Sequence, residues 1–285
     1  MPKMFIDLHT HTKFSPDGRG TIEEMLRKAD DIAIDFYGIS EHFDTSKERL
    51  KRIQMGALPP ETDATRYFPK ARKLQKQYEG IMNILVGAEL GFMDDEISIK
   101  RYNELIERYK PDYIINSVHR IGNGYYTRGK SGEKIVREKR IVYNEYFDFV
   151  LRSLDVPYHY DIVGHLGYCT RYAPYADKRA PLEEYGDQID RILKRIVELG
   201  KILEVNSKDE GGQILPEVGD FFCLPNVEVL KRYYQLGGRK VVYGSDAHGP
   251  EVIGYNACNV IKMLKEIGFT HQTIPYKGKE IYVEL

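Results

Sequence analysis

The feature that most constrains the fold is a regular alternation of short β-rich runs with longer helical patterns along the chain. The predicted strands are Met4–His9, Phe36–Ser40, Asn83–Gly87, Asp112–Val118, Asp161–Gly164, Ile202–Val205 and Lys240–Gly244. The predicted helices between them are Ile22–Ala33, Asp63–Tyr78, Ile97–Tyr109, Lys134–Leu154, Leu182–Leu199 and Val227–Leu236. This alternation is typical of βα units and a parallel sheet. Seven units predict either a closed barrel or an open doubly wound sheet, and periodicity alone does not decide between them.

Local signals mark several helix ends and two long connections. Thr21 followed by Glu24 predicts a capping box at the start of the first helix. Three helical patterns are followed by a glycine, as expected at a helix C-terminus: Gly80, Gly200 and Gly237. The connections Phe43–Glu61 and Arg120–Gly132 are long, and loops of that length in a compact domain usually serve function.

Six of the eight histidines lie directly after a predicted strand or within a few residues of its end. They are His9, His11, His42, His119, His165 and His248. Glu89 and Asp246 follow the third and seventh strands in the same way. Because the carboxyl ends of parallel strands meet at one edge of the sheet, we expect these eight groups to converge. His159 and His271 have no such placement and are expected to be surface or hydrogen-bonded core residues.

Imidazole and carboxylate together suit zinc, manganese, iron or cobalt better than calcium or magnesium. His9 and His11 are two residues apart, as are Asp246 and His248, so each pair can present both side chains on one face of a strand. Eight groups exceed the needs of one four-coordinate ion. The sequence therefore predicts two or three divalent ions, bridged by Glu89 or by solvent. Such clusters favour phosphoester hydrolysis, because they activate water and neutralise phosphoryl oxygens.

Composition excludes several other classes of protein. Lys and Arg number 42 against 43 Asp and Glu, so the chain has no basic field for a polyanion and nucleic acid is an unlikely partner. The longest apolar stretch, Ile81–Leu90, is too short to cross a bilayer, and Asp7 leaves no room for a secretory hydrophobic region. Three widely spaced cysteines indicate no disulfide framework. The 285 residues suit one cytoplasmic, soluble domain over 1–285.

Several segments resemble the ordered motifs of the PHP (polymerase and histidinol phosphatase) superfamily. They are Asp7–Thr12 with Phe14–Gly18, Ser40–His42, Gly87–Glu89, Ser117–His119, Gly164–His165 and Gly244–His248. The resemblance implies a distorted (β/α)7 TIM-like barrel with up to three ions at its C-terminal mouth. It implies one ion held by His9, His11, Glu89 and Asp246, and a second held by Glu89, His119 and His165. It places a third between His42, His248 and Asp17, where many relatives have histidine and not aspartate.

Size and the absence of polymerase segments make the chain similar to stand-alone histidinol-phosphate phosphatases, as does Glu204–Asn206 after the sixth strand. The implied reaction is hydrolysis of L-histidinol phosphate, a small phosphate monoester, by a metal-bridging hydroxide with manganese, zinc or iron. Glu89, Asp246 and His248 are the candidate catalytic residues. The donor that protonates the leaving alkoxide stays open, as does the oligomeric state.

Phosphate contacts are expected from guanidinium groups, whose fork matches phosphate oxygens. Arg171 is the first candidate and Arg120 the second, while Arg128 and Lys130 are expected to be solvated. Four tyrosines are candidates to line a pocket for a flat imidazole, or merely to pack: Tyr125, Tyr126, Tyr168 and Tyr172.

Three alternatives stay open. The substrate can be another phosphate ester, namely a nucleotide, a sugar phosphate, a phosphotyrosine or a nucleic-acid end. The barrel can be a non-catalytic domain with structural metal, although structural zinc sites usually have four protein ligands and no open position. A C–N hydrolase on a related barrel is the third, although no lysine is placed as an obvious carbamate bridge. The sequence has no GxSxG, Walker A or GxGxxG motif that would favour a serine hydrolase, an NTPase or a dinucleotide-binding fold.

Overall fold

Seven parallel strands form one sheet, each paired with the next in chain order. They are β1 (Phe5–Asp7), β2 (Ile34–Phe43), β3 (Asn83–Gly91), β4 (Ile114–Ser117), β5 (Ile162–Val163), β6 (Ile202–Asn206) and β7 (Val241–Gly244). A separate antiparallel hairpin pairs β8 (His271–Tyr276) with β9 (Lys279–Glu284). These elements come from a computed structural model that describes residues 5–120, 137–171, 173–207 and 223–285.

Helices follow the strands and surround the sheet. They are α1 (Ile22–Asp31), α2 (Lys47–Gln54), α3 (Ala64–Gln77), α4 (Glu96–Tyr109), α5 (Lys139–Ser153), α6 (Leu182–Glu198), α7 (Val227–Gln235) and α8 (Ala257–Ile267). The order of strands and helices is that of a βα barrel, as the sequence predicted. No helix in the described part of the chain is long and apolar enough to cross a membrane.

The sheet closes between its first and last strands by a few hydrogen bonds just beyond the strand ends. The amide of Leu8 donates to the carbonyl of Tyr243 at 3.2 Å, and that of His11 donates to the carbonyl of Ala247 at 2.8 Å. The strands therefore form a nearly closed, distorted (β/α)7 barrel. The open doubly wound alternative is excluded, because an open sheet leaves its first and last strands apart.

Two apolar cores fill the molecule. The larger core lies between the sheet and its helices, with side chains such as Leu26, Tyr67 and Leu193. The smaller core fills the barrel interior and contains Ile6, Leu8, Phe36, Leu85, Tyr113, Ile115, Ile162, Ile202 and Val242. Ile274 and Val283 of the β8–β9 hairpin belong to the same interior cluster. The hairpin therefore covers the N-terminal end of the barrel, and the C-terminal end is left for polar groups.

Tyr113 sets the packing inside the barrel. Its hydroxyl donates to the carbonyl of Leu8 at 2.6 Å. A Cβ atom at Gly38 would lie 2.3 Å from this hydroxyl oxygen, and one at Gly87 would lie 2.4 Å from the ring. Both contacts are closer than real Cβ atoms allow, so these glycines make room for the tyrosine.

The helix-end signals predicted from sequence are confirmed. Thr21 and Glu24 form the complete capping box at the start of α1. Gly80, Gly200 and Gly237 all have positive φ, at 85°, 64° and 92°, which is the left-handed conformation that glycine adopts without strain.

Several predicted boundaries were wrong. Strands β2 and β3 run to Phe43 and Gly91, so His42 and Glu89 lie within these strands and not beyond them. The predicted helix Lys134–Leu154 begins only at Lys139, with described residues 137 and 138 outside it. The connection Phe43–Glu61 contains helix α2. The last helix and the hairpin were not predicted at all, and most of Arg120–Gly132 lies outside the described residues.

Candidate metal centre

All nine residues predicted as metal ligands lie at the C-terminal mouth of the barrel, where the strand ends bring them together. Strands β2 and β3 are in parallel register with His42 opposite Glu89. Eight of the nine are buried or partly buried, whereas the Asp17 side chain is 62% exposed.

Glu89 lies at the centre of the cluster and is fully buried. Its Oε1 lies 2.9 Å from His165 Nε2, 3.1 Å from His119 Nε2 and 3.4 Å from His9 Nε2. Its Oε2 lies 2.6 Å from His42 Nδ1 and 3.6 Å from His11 Nε2. One carboxylate therefore faces five imidazoles, which is the geometry that a bridging ligand requires.

Asp246 and Asp17 complete the cluster on the other side. Asp246 Oδ1 lies 3.3 Å from His11 Nε2 and 3.8 Å from His9 Nε2. Asp17 Oδ2 lies 3.3 Å from His248 Nε2, and Oδ1 lies 3.7 Å from His42 Nε2. Asp17 stands where many relatives have histidine, and it lies close to His42 and His248, the two imidazoles with which it was predicted to share an ion.

The donor atoms fit divalent ions. Four buried atoms make no hydrogen bond among the described residues although each faces other donor atoms: His9 Nε2, His11 Nε2, His42 Nδ1 and Glu89 Oε2. Leaving such groups unsatisfied is costly. Compact triplets with donor atoms within 4.8 Å of one another include His9–His11–Glu89, Glu89–His119–His165 and His11–His42–His248. Metal ions would satisfy these atoms, and nitrogen with carboxylate oxygen is the donor set of zinc, manganese and iron.

Carboxylates behind the ligands orient the imidazoles, and the sequence analysis missed Asp44 in this role. Asp44 Oδ1 lies 3.0 Å from His119 Nδ1, so His119 turns its Nε2 to Glu89. Glu204 Oε1 lies 2.6 Å from His9 Nδ1 in the same way. A carboxylate on one ring nitrogen fixes the tautomer and leaves the other nitrogen free to bind metal. For Glu204 the signal was the resemblance of Glu204–Asn206, whereas a lone Asp44 offered none.

Glu41 braces the loop after β1 and was also missed. Its carboxylate accepts hydrogen bonds from the backbone amide of Thr12 at 3.1 Å and from the hydroxyls of Thr12 and Ser15 at 2.6 and 2.5 Å. This loop carries His11 and Asp17, so Glu41 fixes the path of two predicted ligands.

The backbone at Asp246 is held in an unusual conformation. Its φ of 53° lies in the left-handed region, which costs free energy for a residue other than glycine. A Cβ atom on the preceding Gly244 would lie 2.4 Å from Glu204 Oε1 and 2.6 Å from His9 Cβ. The Gly244–His248 turn therefore packs so closely against Glu204 and His9 that position 244 has no room for a side chain.

The two predicted phosphate-binding arginines differ in their surroundings. Arg171 is buried and donates from Nη1 to Asp246 Oδ2 at 2.9 Å and from Nη2 to Asn206 Oδ1 at 2.6 Å. It also lies over the ring of Tyr168, at 5.2 Å from the ring centroid. Arg120 is partly buried beside His119. Arg171 thus holds a predicted metal ligand in place.

Of the candidate pocket tyrosines, Tyr168 lies at the centre. Its ring centroid is 4.8 Å from that of His165 and 5.3 Å from that of His119. The other three candidate tyrosines, Tyr125, Tyr126 and Tyr172, lie outside the described residues. Arg128 and Lys130, which were predicted to be solvated, also lie outside them. His159 is exposed and lies 3.0 Å from Asp161, and His271 is exposed, as expected for residues outside the cluster.

Burial and neighbouring charges shift the pKa values of the carboxylates and imidazoles in the cluster. Burial alone would lower the pKa of His119, but the charges of Glu89 and Asp44 raise it to about 10. Burial would raise the pKa of Glu89, yet the surrounding imidazoles, His119 and His9 foremost, hold it well below its usual range. For His11, burial and the neighbouring His42 and His248 lower the pKa. The ionised carboxylate and a neutral His11 are the forms that bind metal.

Comparison with known proteins shows the family of this chain. The family model of the PHP domain matches residues 7–208. The chain belongs to the PHP family. The similarity extends along nearly the whole chain. A protein of Clostridium acetobutylicum named Probable histidinol-phosphatase is 31% identical over 279 residues, and the match covers 96% of this chain and 100% of that protein. A Histidinol-phosphatase of Lactococcus lactis is 26% identical, with 97% and 96% covered.

A solved structure has the same fold. The crystal structure of histidinol phosphate phosphatase from Lactococcus lactis, complexed with zinc, L-histidinol and phosphate, superposes with a TM-score of 0.79. It covers 97% of this chain and 98% of that chain at 24% identity. The distorted (β/α)7 barrel implied by the sequence motifs is therefore confirmed.

Proposed function

We propose that this chain is a metal-dependent phosphomonoesterase that hydrolyses L-histidinol phosphate to L-histidinol and phosphate. The observation that carries the proposal is the convergence of buried, unsatisfied imidazole and carboxylate atoms on Glu89 at the barrel mouth. Relatives that match nearly the full chain are named histidinol-phosphatases, which supports the choice of substrate.

Two or three divalent ions would be held by the nine predicted ligands, with zinc, manganese or iron as candidates. One ion would take His9, His11, Glu89 and Asp246, and a second Glu89, His119 and His165. A third would take Asp17, His42 and His248. Such ions, when bound, lower the pKa of water and neutralise charge on phosphoryl oxygens. Because Asp17 is largely exposed, we expect the third position to have the lowest affinity.

The residues of the chain supply orientation and charge. Glu204 and Asp44 hold His9 and His119 with Nε2 towards the centre. Arg171 would hold Asp246 in its orientation and bring positive charge beside the phosphoryl group, with Arg120 as the second candidate for that contact. Glu89, Asp246 and His248 are the residues that we expect to touch the reacting groups. The proton donor to the leaving alkoxide is not assigned, because Asp246 and His248 qualify only if metal does not occupy all of their donor atoms.

We propose that residues 1–285 act as one domain on a small phosphate monoester in the cytoplasm, without a nucleic-acid or membrane partner. A deep cluster at the end of a barrel suits a small ligand, and the net charge of −1 does not favour a polyanion.

The test compares kcat/KM of protein reconstituted with zinc or manganese on L-histidinol phosphate, nucleotides, sugar phosphates, a phosphotyrosine peptide and an aryl phosphate. We expect a preference of at least about a hundredfold for L-histidinol phosphate, which corresponds to about 2.7 kcal/mol of differential transition-state binding. Low and even rates on all esters would discard this substrate and keep the phosphoesterase. Turnover of an amide or amidine without any phosphate release would favour the C–N hydrolase.

A further inference from the structure

Strand β6 ends in a buried asparagine whose side chain joins two groups of opposite charge. Asn206 is fully buried. Its Nδ2 donates to Glu204 Oε1 at 2.9 Å, and its Oδ1 accepts from Arg171 Nη2 at 2.6 Å. Glu204 and Asn206 are two residues apart on the strand, so both side chains point to the same side of the sheet. Asn206 therefore lies between a carboxylate of the metal centre and its buried arginine.

The backbone of Asn206 is anchored on both sides. Its amide donates to the carbonyl of Leu224 at 2.8 Å, and its carbonyl accepts from the amide of Leu224 at 2.8 Å. On β7 its partner in register is Gly244, which begins the turn that carries Asp246 and His248. The side chain of Asn206 is thus presented from a fixed place beside this turn.

The two bonds of Asn206 belong to a hydrogen-bonded chain that begins and ends on predicted metal ligands. Glu204 Oε1 also lies 2.6 Å from His9 Nδ1, and Arg171 Nη1 donates to Asp246 Oδ2 at 2.9 Å. The chain therefore runs from His9 through Glu204, Asn206 and Arg171 to Asp246. Asp246 Oδ1 lies 3.8 Å from His9 Nε2, so the two ends of the chain meet at the place predicted for the first ion.

The position between Glu204 and Arg171 requires a group that donates on one side and accepts on the other. An ionised carboxylate only accepts hydrogen bonds, and a guanidinium only donates them. The Asn206 amide satisfies both in a single orientation. An aspartate would set a second negative charge against Glu204, and an aliphatic side chain would take a partner from two buried polar groups at once.

The orientation of Arg171 depends on this contact. The Arg171 side chain is fully buried, and its two Nη atoms donate to different residues, Asp246 and Asn206. Two bonds from the two ends of the guanidinium fix its plane, whereas one bond alone would allow the group to rotate about it. The plane matters because the N–H groups of a guanidinium have a rigid, fork-like geometry that matches phosphate oxygens.

We propose that Asn206 is a positioning residue for phosphate binding, because it holds the Arg171 guanidinium in the plane that serves the phosphoryl oxygens beside Asp246. The inference rests on the proposed phosphomonoesterase function, in which Arg171 brings positive charge to the phosphoryl group. Asn206 itself touches neither substrate nor metal and acts through Arg171. Its effect on phosphate should therefore disappear when the guanidinium is removed.

The test is a double-mutant cycle between Asn206→Leu and Arg171→Met. Binding of inorganic phosphate to the metal-saturated proteins is measured by calorimetry, and KM is measured with L-histidinol phosphate. We expect Asn206→Leu alone to weaken phosphate binding about tenfold, about 1.4 kcal/mol, and to raise KM by a similar factor. In the Arg171→Met background the same substitution should change phosphate binding by less than about twofold, because residues that act through one contact are not additive.

Asn116→Leu is the matched control. Asn116 is a buried asparagine on β4 whose Nδ2 donates to the carbonyl of Ser153 at 2.7 Å and whose Oδ1 accepts from the hydroxyl of Tyr158 at 2.9 Å. Its replacement removes the same kinds of buried bonds, but on the side of the sheet that faces α5. We expect both leucine variants to lower Tm, and only Asn206→Leu to weaken phosphate binding. Elemental analysis should give equal metal content in all the proteins.

Four results would overturn the proposal. They are unchanged phosphate binding in Asn206→Leu, unchanged phosphate binding in Arg171→Met, equal losses in the two leucine variants, and losses that add in the double variant. If Asn206→Leu does not fold, Asn206→Ser enters the same cycle with the same criteria. Serine is smaller, and its hydroxyl is one bond too short to span both partners.

Failure of the proposed function gives a different result. If the wild-type protein prefers another ester, the substrate is wrong, yet the cycle on inorganic phosphate still tests Asn206. If the metal-loaded wild type releases phosphate from no ester, the phosphomonoesterase function is wrong, whatever the cycle shows. Turnover and phosphate binding are therefore separate readings of the same proteins.

Discussion

At the scale of single residues, the geometry of the centre depends most on Glu89. Its two oxygens face five imidazoles. Glu89→Gln replaces one of these oxygens with an amide nitrogen, which does not bind metal. Once metals are bound, this amide also finds no acceptor for its hydrogen bonds. We expect turnover to be abolished and metal content to fall, measured by steady-state kinetics and elemental analysis. Wild-type activity in a folded Glu89→Gln protein would contradict the bridged centre.

A second residue, Asp44, acts through His119. Its carboxylate accepts from Nδ1 and turns Nε2 towards Glu89, where Nε2 binds a metal ion once it has lost its proton. In Asp44→Asn the amide can donate to Nδ1 and favour the other tautomer, in which Nε2 carries the proton. We expect metal affinity to fall by about 10- to 100-fold, measured by competition with a chelator.

Asp31→Asn is the control for this change, because Asp31 is an exposed carboxylate at the end of α1. It should bind metal as the wild type does. Equal metal affinity in Asp44→Asn and Asp31→Asn would mean that Asp44 does not orient His119.

The ligands could be predicted from sequence and their supports could not, for a physical reason. Ligands such as His9, His11 and His42 occur at strand ends, and parallel strands bring those ends together whatever the loops do. Asp44 acts through His119, and Glu41 acts through hydrogen bonds from Thr12 and Ser15. These partners are distant in sequence, and a lone carboxylate has no spacing that distinguishes it from a solvated one.

At the scale of elements, the hairpin β8–β9 is the part of the fold that extends beyond the seven βα units. Ile274 is fully buried in the barrel interior, and Tyr243 donates its amide to Gln272 Oε1 at 2.9 Å. Ile274→Ala removes three buried carbon atoms, one methylene and two methyl groups, and leaves a cavity, so we expect a loss of about 2–5 kcal/mol in the free energy of unfolding. Urea denaturation measures it.

The outer face of the same hairpin provides the control. Tyr282 is 60% exposed, and Tyr282→Phe should change the free energy of unfolding by less than about 0.5 kcal/mol. Because the hairpin lies at the opposite end of the barrel from the metal centre, folded Ile274→Ala should keep its KM. An unchanged stability of Ile274→Ala would show that the hairpin does not support the interior core.

The elements that were predicted have strong periodic signals, and those that were missed have weak ones. Helix α2 has a single buried side chain, Arg49, so no apolar stripe marks it. The hairpin turns at Lys277 and Gly278, both with positive φ, and Lys-Gly is a weaker turn signal than Asn-Gly. Strands β2 and β3 extend into polar residues because the metal centre is built on them.

At the scale of the whole molecule, a balanced surface charge and one polar barrel mouth favour a small substrate. A protein that holds a nucleic acid through 6–10 phosphate contacts loses about 10³ to 10⁵ in affinity between 50 and 200 mM salt. We expect kcat/KM for L-histidinol phosphate to change by less than about tenfold over that range. A steep loss would instead favour the nucleic-acid end among the alternative substrates.

The metal centre should also contribute to the stability of the whole barrel. Its ligands come from β2 and β3 and from the segments after four other strands, β1, β4, β5 and β7, so ions would link the first and last strands of the sheet. A ligand that binds only the folded state stabilises it by about 4 kcal/mol at a thousandfold excess over its Kd. We expect chelation to lower Tm by several degrees and added zinc or manganese to restore it. Glu89→Gln should show a smaller shift, since it binds less metal. Equal Tm values for chelated and reconstituted wild-type protein would mean that the convergent imidazoles hold no ion that the fold depends on.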